Sequence, residues 1–181
     1  MIHPSELFNA FERAGVRFYT GVPDSLLKAF CAYVADEAGP GAHISTANEG
    51  LAVALAAGHY VGTGQCAAVY LQNSCFGNTV NPLMSLADRE VYGTPMVLLV
   101  GWRGEPGRPD EPQHMKQGRI MEALIEALEL PYRILDEEIE DVDTLAFEAV
   151  DTALMNQTPF ILLTKKGTFE PYQLRRSASE D

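Results

Sequence analysis

Met96 to Val100 reads MVLLV, five apolar residues in a row with no polar interruption. Strand side chains alternate between the two faces of a sheet, so such a run needs apolar cover on both sides. An antiparallel sheet with one wet face would alternate instead. Ala67 to Leu71 (AAVYL) and Phe160 to Thr164 (FILLT) read the same way. Runs of this length that alternate with helical patterns predict a parallel sheet with helices on both faces.

The intervening segments fit that prediction. Ser5 to Ala14 places Leu7, Ala10, Phe11 and Ala14 at helical spacing, and Gly15 is a suitable stop. Val16 to Thr20 is short and β-prone. Gly21-Val22-Pro23-Asp24-Ser25 then breaks it, and Asp24 or Ser25 can cap a helix whose stripe is Leu26, Leu27, Phe30 and Val34. His43 to Thr46 is a second strand. Asn48 can cap the run Glu49 to Val61, which is small and apolar nearly all round and is therefore expected to be buried. Helices are expected at Asn78–Leu86, Gln117–Leu128 and Val142–Met155, with a strand at Tyr132–Leu135 and a long charged loop from Gly101 to Lys116. No internal repeat or interdomain linker is visible. The expectation is one three-layer α/β domain over residues 1–170 with about six mostly parallel strands. A polar tail follows over 171–181, expected to be disordered from Leu174 onward.

Several function classes drop out. Lys and Arg number 13 against 25 Asp and Glu, a net charge of -12 that disfavours nucleic acid and anionic membranes. At 46% hydrophobic residues the chain is not disordered as a whole. Cys31, Cys66 and Cys75 are odd in number and widely spaced, so neither a disulfide framework nor a zinc knuckle is expected. The histidines never fall at H-x-x-x-H spacing. The N-terminus lacks the pattern of a signal peptide, and no apolar stretch reaches the ~18 residues of a membrane span. A cytoplasmic setting is expected. The P-loop, G-x-G-x-x-G and G-x-S-x-G motifs are all missing.

In open α/β sheets, ligands sit beyond the carboxyl ends of the strands. Those positions here hold Gly21 to Ser25, Thr46 to Gly50, Gln72 to Asn78, and Gly101 to Gly104, all more polar than the strands that feed them. Glu49 is the most pointed residue among them. An acid in the first turn is what a helix dipole favours, at ~0.3–1 kcal/mol. Yet this helix has almost no polar face, and a partly buried carboxylate can exchange a proton with a ligand.

The segments TGVPDSLLKAF, TANEGLAVALAAGHYVGTG, VYLQNSCFGNTVNPLMSLAD, PMVLLVGWRGEPG and DEPQHMKQGRI resemble the phosphonopyruvate decarboxylases, which are thiamine diphosphate enzymes. The likeness runs from about residue 5 to 166 and is restricted to that family's pyrimidine-binding half. Sulfopyruvate decarboxylases share the Q-N-S and R-G elements. The resemblance implies a carboxy-lyase acting on a small anionic 2-oxo acid. It makes Glu49 the glutamate held against N1′ of the cofactor's aminopyrimidine, where it promotes loss of the thiazolium C2 proton. Gln72, Asn73 and Asn78 are the other candidate cofactor contacts. His114, in D-E-P-Q-H, is the candidate for proton transfer. Asp24, Ser25, Ser74, Arg103 and Lys116 are candidates for holding the anionic substrate. Each has a plainer alternative: Asp24 as a helix cap, Gln72 and Asn73 as partners for backbone groups, Arg103 and Lys116 as solvated loop charges.

Two departures from the family pattern matter. Its magnesium-binding G-D-G…N-N motif, which carries the cofactor's diphosphate, does not occur in this chain. The resemblance therefore implies that Mg2+ is held by a separate β subunit or a further domain, in an α2β2 or larger assembly, and no residue here is assigned to metal. The family's Q-N-S-G-L-G-N is here Gln72-Asn73-Ser74-Cys75-Phe76-Gly77-Asn78, so Cys75 and Phe76 are expected to reshape the pocket wall. The alternatives are a sulfopyruvate decarboxylase α subunit and a non-catalytic regulatory or assembly subunit of the same fold.

Overall fold

A computed structural model describes residues 1–175. Six parallel strands form one sheet: β1 (Tyr19–Gly21), β2 (His43–Ser45), β3 (Ala67–Gln72), β4 (Met96–Gly101), β5 (Tyr132–Leu135) and β6 (Phe160–Thr164). Their spatial order is β2-β1-β3-β4-β6-β5. The helices are α1 (Pro4–Arg13), α2 (Lys28–Glu37), α3 (Glu49–Thr63), α4 (Gly77–Pro82), α5 (Pro112–Ala127) and α6 (Val142–Asn156).

The unbroken apolar runs do what their pattern requires. Val97 and Leu99 of β4 join the core shared with α1, α2 and α6, whereas Met96, Leu98 and Val100 join the core under α3 and α5. In β3, Ala68 and Tyr70 face the first core, and Ala67, Val69 and Leu71 face the second. Both faces of the sheet are therefore covered, which gives three layers.

Four expectations need correction. First, α2 starts at Lys28, because Asp24 takes up the preceding backbone: its Oδ2 accepts from the N–H groups of Leu26 (3.1 Å) and Leu27 (3.2 Å). Second, the helix expected over Asn78–Leu86 is α4 followed by a wider π turn at Leu83–Ala87. Pro82 sits at the junction, where its missing N–H removes a helical hydrogen bond. Third, α5 begins at Pro112, a residue whose fixed φ suits the first helical position, so His114 and Lys116 lie on a helix and not in a loop. Fourth, α3 is buried on one face only: Ala52, Val53, Ala56 and Ala57 are packed, while Leu51, Ala54, Gly58 and Val61 are exposed.

Beyond β6, Tyr172 Oη and the Arg175 N–H both donate to Oδ2 of Asp36 on α2, at 2.9 and 2.8 Å. The remainder of the tail, 176–181, lies outside the described residues. No helix among the described residues is long and apolar enough to cross a membrane.

Candidate active site

A parallel sheet collects the carboxyl ends of its strands on one edge, and the polar loops read from the sequence converge there. Asn48 caps α3 by accepting from the Gly50 N–H at 2.8 Å, which fixes Glu49 as the first helical residue. Glu49 is 5% exposed. Asn78 Nδ2, from the start of α4, donates to Glu49 Oε2 at 2.8 Å. The other oxygen, Oε1, accepts from no N–H or O–H group among the described residues. Gly50 permits this approach, since a Cβ there would stand 2.8 Å from the Asn78 carbonyl oxygen.

Cys75 lies beside the same carboxylate. Burial pushes its thiol above the ordinary value, and the negative charge of Glu49 and a hydrogen bond from the thiol to that carboxylate push it further. That suppresses the thiolate and disfavours a nucleophilic role. Cys75 ends a short 3-10 turn (Asn73–Cys75), and no non-glycine residue in this loop takes a positive φ. Phe76 is fully buried in the core under α3, so it supports the loop from below and does not line a pocket.

The next loop is tied to this one. Asn73 Oδ1 accepts from the Arg103 N–H and Asn73 Nδ2 donates to the Arg103 carbonyl, both at 2.9 Å. Asn73 is thereby committed to backbone. Ser74 Oγ lies 2.5 Å from His114 Nδ1, joining the end of β3 to the first turn of α5. Gln72 is half-buried at the end of β3, opposite Gly101, with no side-chain hydrogen bond among the described residues. Lys116 is exposed, and two residues along a helix from His114 place it about 200° round the axis. It is not drawn in with the others.

Asp24 is 4% exposed. Burial raises its carboxyl above the ordinary range, against the opposing pull of the Leu26 and Leu27 N–H groups and of Arg103. Its Oδ1 is buried without a partner. Gly101 lets this carboxyl approach, because any Cβ there would collide with Asp24 Oδ2. Arg103 Nη1 donates to Ser25 Oγ at 3.0 Å, and Nε donates to Asp110 Oδ2 at 2.8 Å. A cavity of about 420 Å³ opens beside Asp24 and Ser25, lined also by Lys28, His43, Ser45 and Tyr70. Tyr70 Oη reaches His43 Nε2 at 2.7 Å and Ser45 Oγ at 3.3 Å. Another groove, of about 390 Å³ between Asp88, Arg89, Glu129 and Asn156, lies at the opposite end of the strands and holds none of the candidates.

A buried carboxylate with one open oxygen, at the start of a helix and at the carboxyl edge of a parallel sheet, can exchange hydrogen bonds with a nitrogen heterocycle. Residues 5–125 match the family model described as thiamine pyrophosphate enzyme, N-terminal TPP binding domain. The chain belongs to this thiamine pyrophosphate enzyme family. Among similar curated proteins is a phosphonopyruvate decarboxylase of Streptomyces viridochromogenes, 32% identical over 179 residues, covering 98% of this chain and 44% of that protein. A sulfopyruvate decarboxylase subunit alpha of Methanococcus maripaludis is 31% identical over 126 residues, covering 70% of this chain and 72% of that protein. Among solved structures, the thiamine diphosphate-dependent 4-hydroxybenzoylformate decarboxylase of Rhodococcus jostii RHA1 matches the fold with a TM-score of 0.65 at 20% identity. That match covers 99% of this chain and 34% of the solved one. The chain thus spans less than half the length of the phosphonopyruvate decarboxylases it matches.

No group of three or more His, Cys, Asp or Glu side chains among the described residues is placed to hold a metal. One neighbour of the site leaves no signal in the sequence: Asp110 carries no periodicity and is visible only through its contact with Arg103. Cys75 stands out in the sequence as a departure from the family pattern, but its place beside Glu49 depends on a turn that spacing does not reveal.

Proposed function

We propose that this chain is the pyrimidine-binding half of a thiamine diphosphate-dependent 2-oxo acid decarboxylase, converting phosphonopyruvate and a proton to phosphonoacetaldehyde and carbon dioxide. The observation that carries this reading is the buried Glu49 carboxylate, oriented by Asn78 and open at Oε1. Names of relatives of this chain support the reaction class.

When bound, thiamine diphosphate supplies the electron sink that lets carbon dioxide leave. The chain's own residues bind and position. Glu49 Oε1 meets N1′ of the aminopyrimidine and moves a proton there. Asn78 holds Oε2 and so sets the direction of Oε1. His114, fixed by Ser74 through Nδ1, presents Nε2 for proton transfer at the substrate. Asp24 is kept neutral by burial more readily than an exposed carboxyl, and can donate a proton from the edge of the site. Arg103 and Ser25 offer donors to the anionic tail.

The diphosphate and Mg2+ belong, in this reading, to a β subunit or further domain carrying G-D-G…N-N. The exposed face of α3 (Leu51, Ala54, Gly58, Val61) is the contact surface, in an α2β2 or larger cytoplasmic assembly. Cys31, Cys66 and Cys75 are all free, which supports a reducing compartment. A second substrate reading, sulfopyruvate, is supported by the likeness to a sulfopyruvate decarboxylase subunit alpha, 31% identical over 126 residues. The test is steady-state turnover of both substrates by the complex of this chain with its diphosphate-binding partner. Phosphonopyruvate should give the higher kcat/KM. A preference for sulfopyruvate would select the second reading, and no turnover of either would reject both.

A further inference from the structure

Arg103 sits at the junction of three loops. Its backbone is bracketed by Asn73, as described above, so the residue cannot drift along the chain. Its side chain is set by Asp110, which lies at the far end of the Gly- and Pro-rich segment from Gly104 to Pro109. Asp110 Oδ2 accepts from Arg103 Nε at 2.8 Å, and Oδ1 accepts from Nη2 in a still shorter contact. This is the planar fork of an arginine paired with a carboxylate, a geometry that a lysine would not reproduce.

Asp110 is anchored independently of Arg103. The Gly104 N–H donates to its Oδ2 and the Glu111 N–H to its Oδ1, each at 2.8 Å. Its side chain is 15% exposed, against 22% for Arg103, so the pair is partly shielded from water. Arg103 holds the Asp110 carboxyl well below the usual carboxylate range. The carboxylate is thus a fixed point and the guanidinium is the group it aims. Of the five N–H donors on an arginine, Asp110 engages one on Nε and one on Nη2, and Ser25 engages one on Nη1. The remaining donors, one on each Nη, are unengaged among the described residues and free for a ligand.

We propose that Asp110 is a positioning residue that sets the preference for 2-oxo acids with a second acidic group, by aiming the unengaged N–H donors of Arg103 at that group. The proposal rests on the decarboxylase reading and deepens it. Asp110 does not touch substrate. It acts by removing the rotational freedom of a long side chain before the anion arrives, which is preorganisation and not added charge. A competing role has the opposite sign: a carboxylate that merely neutralised Arg103 would weaken anion binding, and its removal would strengthen it.

The test uses the full chain in complex with its diphosphate-binding partner, with phosphonopyruvate and pyruvate as paired substrates. Pyruvate carries no acid on its tail. In Asp110→Asn, KM for phosphonopyruvate should rise about tenfold while KM for pyruvate changes less than about twofold. Asp110→Glu, which keeps the charge, should recover part of the lost discrimination. Thermal melting of both variants shows whether the loop still folds, and a direct measurement of phosphonopyruvate binding serves if Asp110→Asn proves too unstable for kinetics. An unchanged KM ratio, an equal rise for both substrates, or tighter binding of phosphonopyruvate would overturn the proposal. Arg103→Met separates the two levels. If it removes the phosphonopyruvate preference while Asp110→Asn does not, Asp110 is wrongly assigned and the substrate reading stands. If the unaltered complex shows no such preference, the substrate reading fails and this proposal with it.

Discussion

Asn78 Nδ2 donates to Glu49 Oε2 at 2.8 Å, linking the second residue of α4 to the first residue of α3. One oxygen of the carboxylate is held and the other is left open. In Asn78→Ala the carboxylate is free to rotate. Turnover of the complex should fall by about 10²-fold, the scale set by small misplacements at a reacting group. Far-ultraviolet circular dichroism should be unchanged, because Asn78 makes no other side-chain bond among the described residues.

Ser74 and His114 act as a unit if Ser74 serves to fix the ring. His114→Ala should lower kcat by about 10²–10⁴-fold. Ser74→Ala should lower it by less, and the double variant should be no worse than His114→Ala alone. Additive losses in that cycle would mean that Ser74 has a separate task at the substrate.

Asp24 predicts a pH dependence of stability with a definite sign. Its carboxyl is raised in the folded chain, mainly by burial. The folded state therefore binds this proton more tightly than the unfolded one. The associated stability is fully present below the unfolded value of 3.8 and is lost as pH rises through the folded value. At pH 7 burial of this carboxyl is a burden, because the unfolded chain holds it ionised in water. Asp24→Asn keeps an acceptor for the Leu26 and Leu27 N–H groups and should melt higher than the unaltered chain at pH 7. Below about pH 4 the difference should shrink toward zero. The same variant should lose activity, since an amide cannot donate the proton.

The exposed face of α3 gives a prediction about assembly. Leu51 is 50% exposed and Val61 76% exposed, on a helix with no Lys or Arg. Leu51→Asp should leave the melting temperature of the isolated chain within a few degrees, because surface changes fall within about 0.5 kcal/mol. It should weaken recovery of the partner subunit in size-exclusion chromatography. Unaltered complex formation would move the contact surface elsewhere.

Much of the fold was legible because the strands are two-faced. MVLLV and FILLT allow no other economical burial, and both are interior strands of the sheet, β4 and β6. Helix ends were harder. The start of α2 depends on how Asp24 folds back on the backbone, and the start of α5 on Pro112, which reads equally well as a loop residue. The exposed half of α3 was misjudged for a different reason: an apolar face reads the same whether the chain itself or another polypeptide covers it. At the site, Glu49 stood out through its odd position on a helix without a polar face. Asp110 did not, because a contact across a turn of seven residues leaves no period in the sequence.

The central claim is that Glu49 moves a proton at the cofactor's pyrimidine. Exchange of the C2 proton of thiamine diphosphate with D2O, followed by NMR in the assembled complex, reads this step without any substrate. Glu49→Gln should slow that exchange by about 10²–10⁴-fold, while the chain melts within a few degrees of the unaltered protein and the cofactor still binds. Exchange at the unaltered rate in Glu49→Gln, with cofactor bound, would contradict the account.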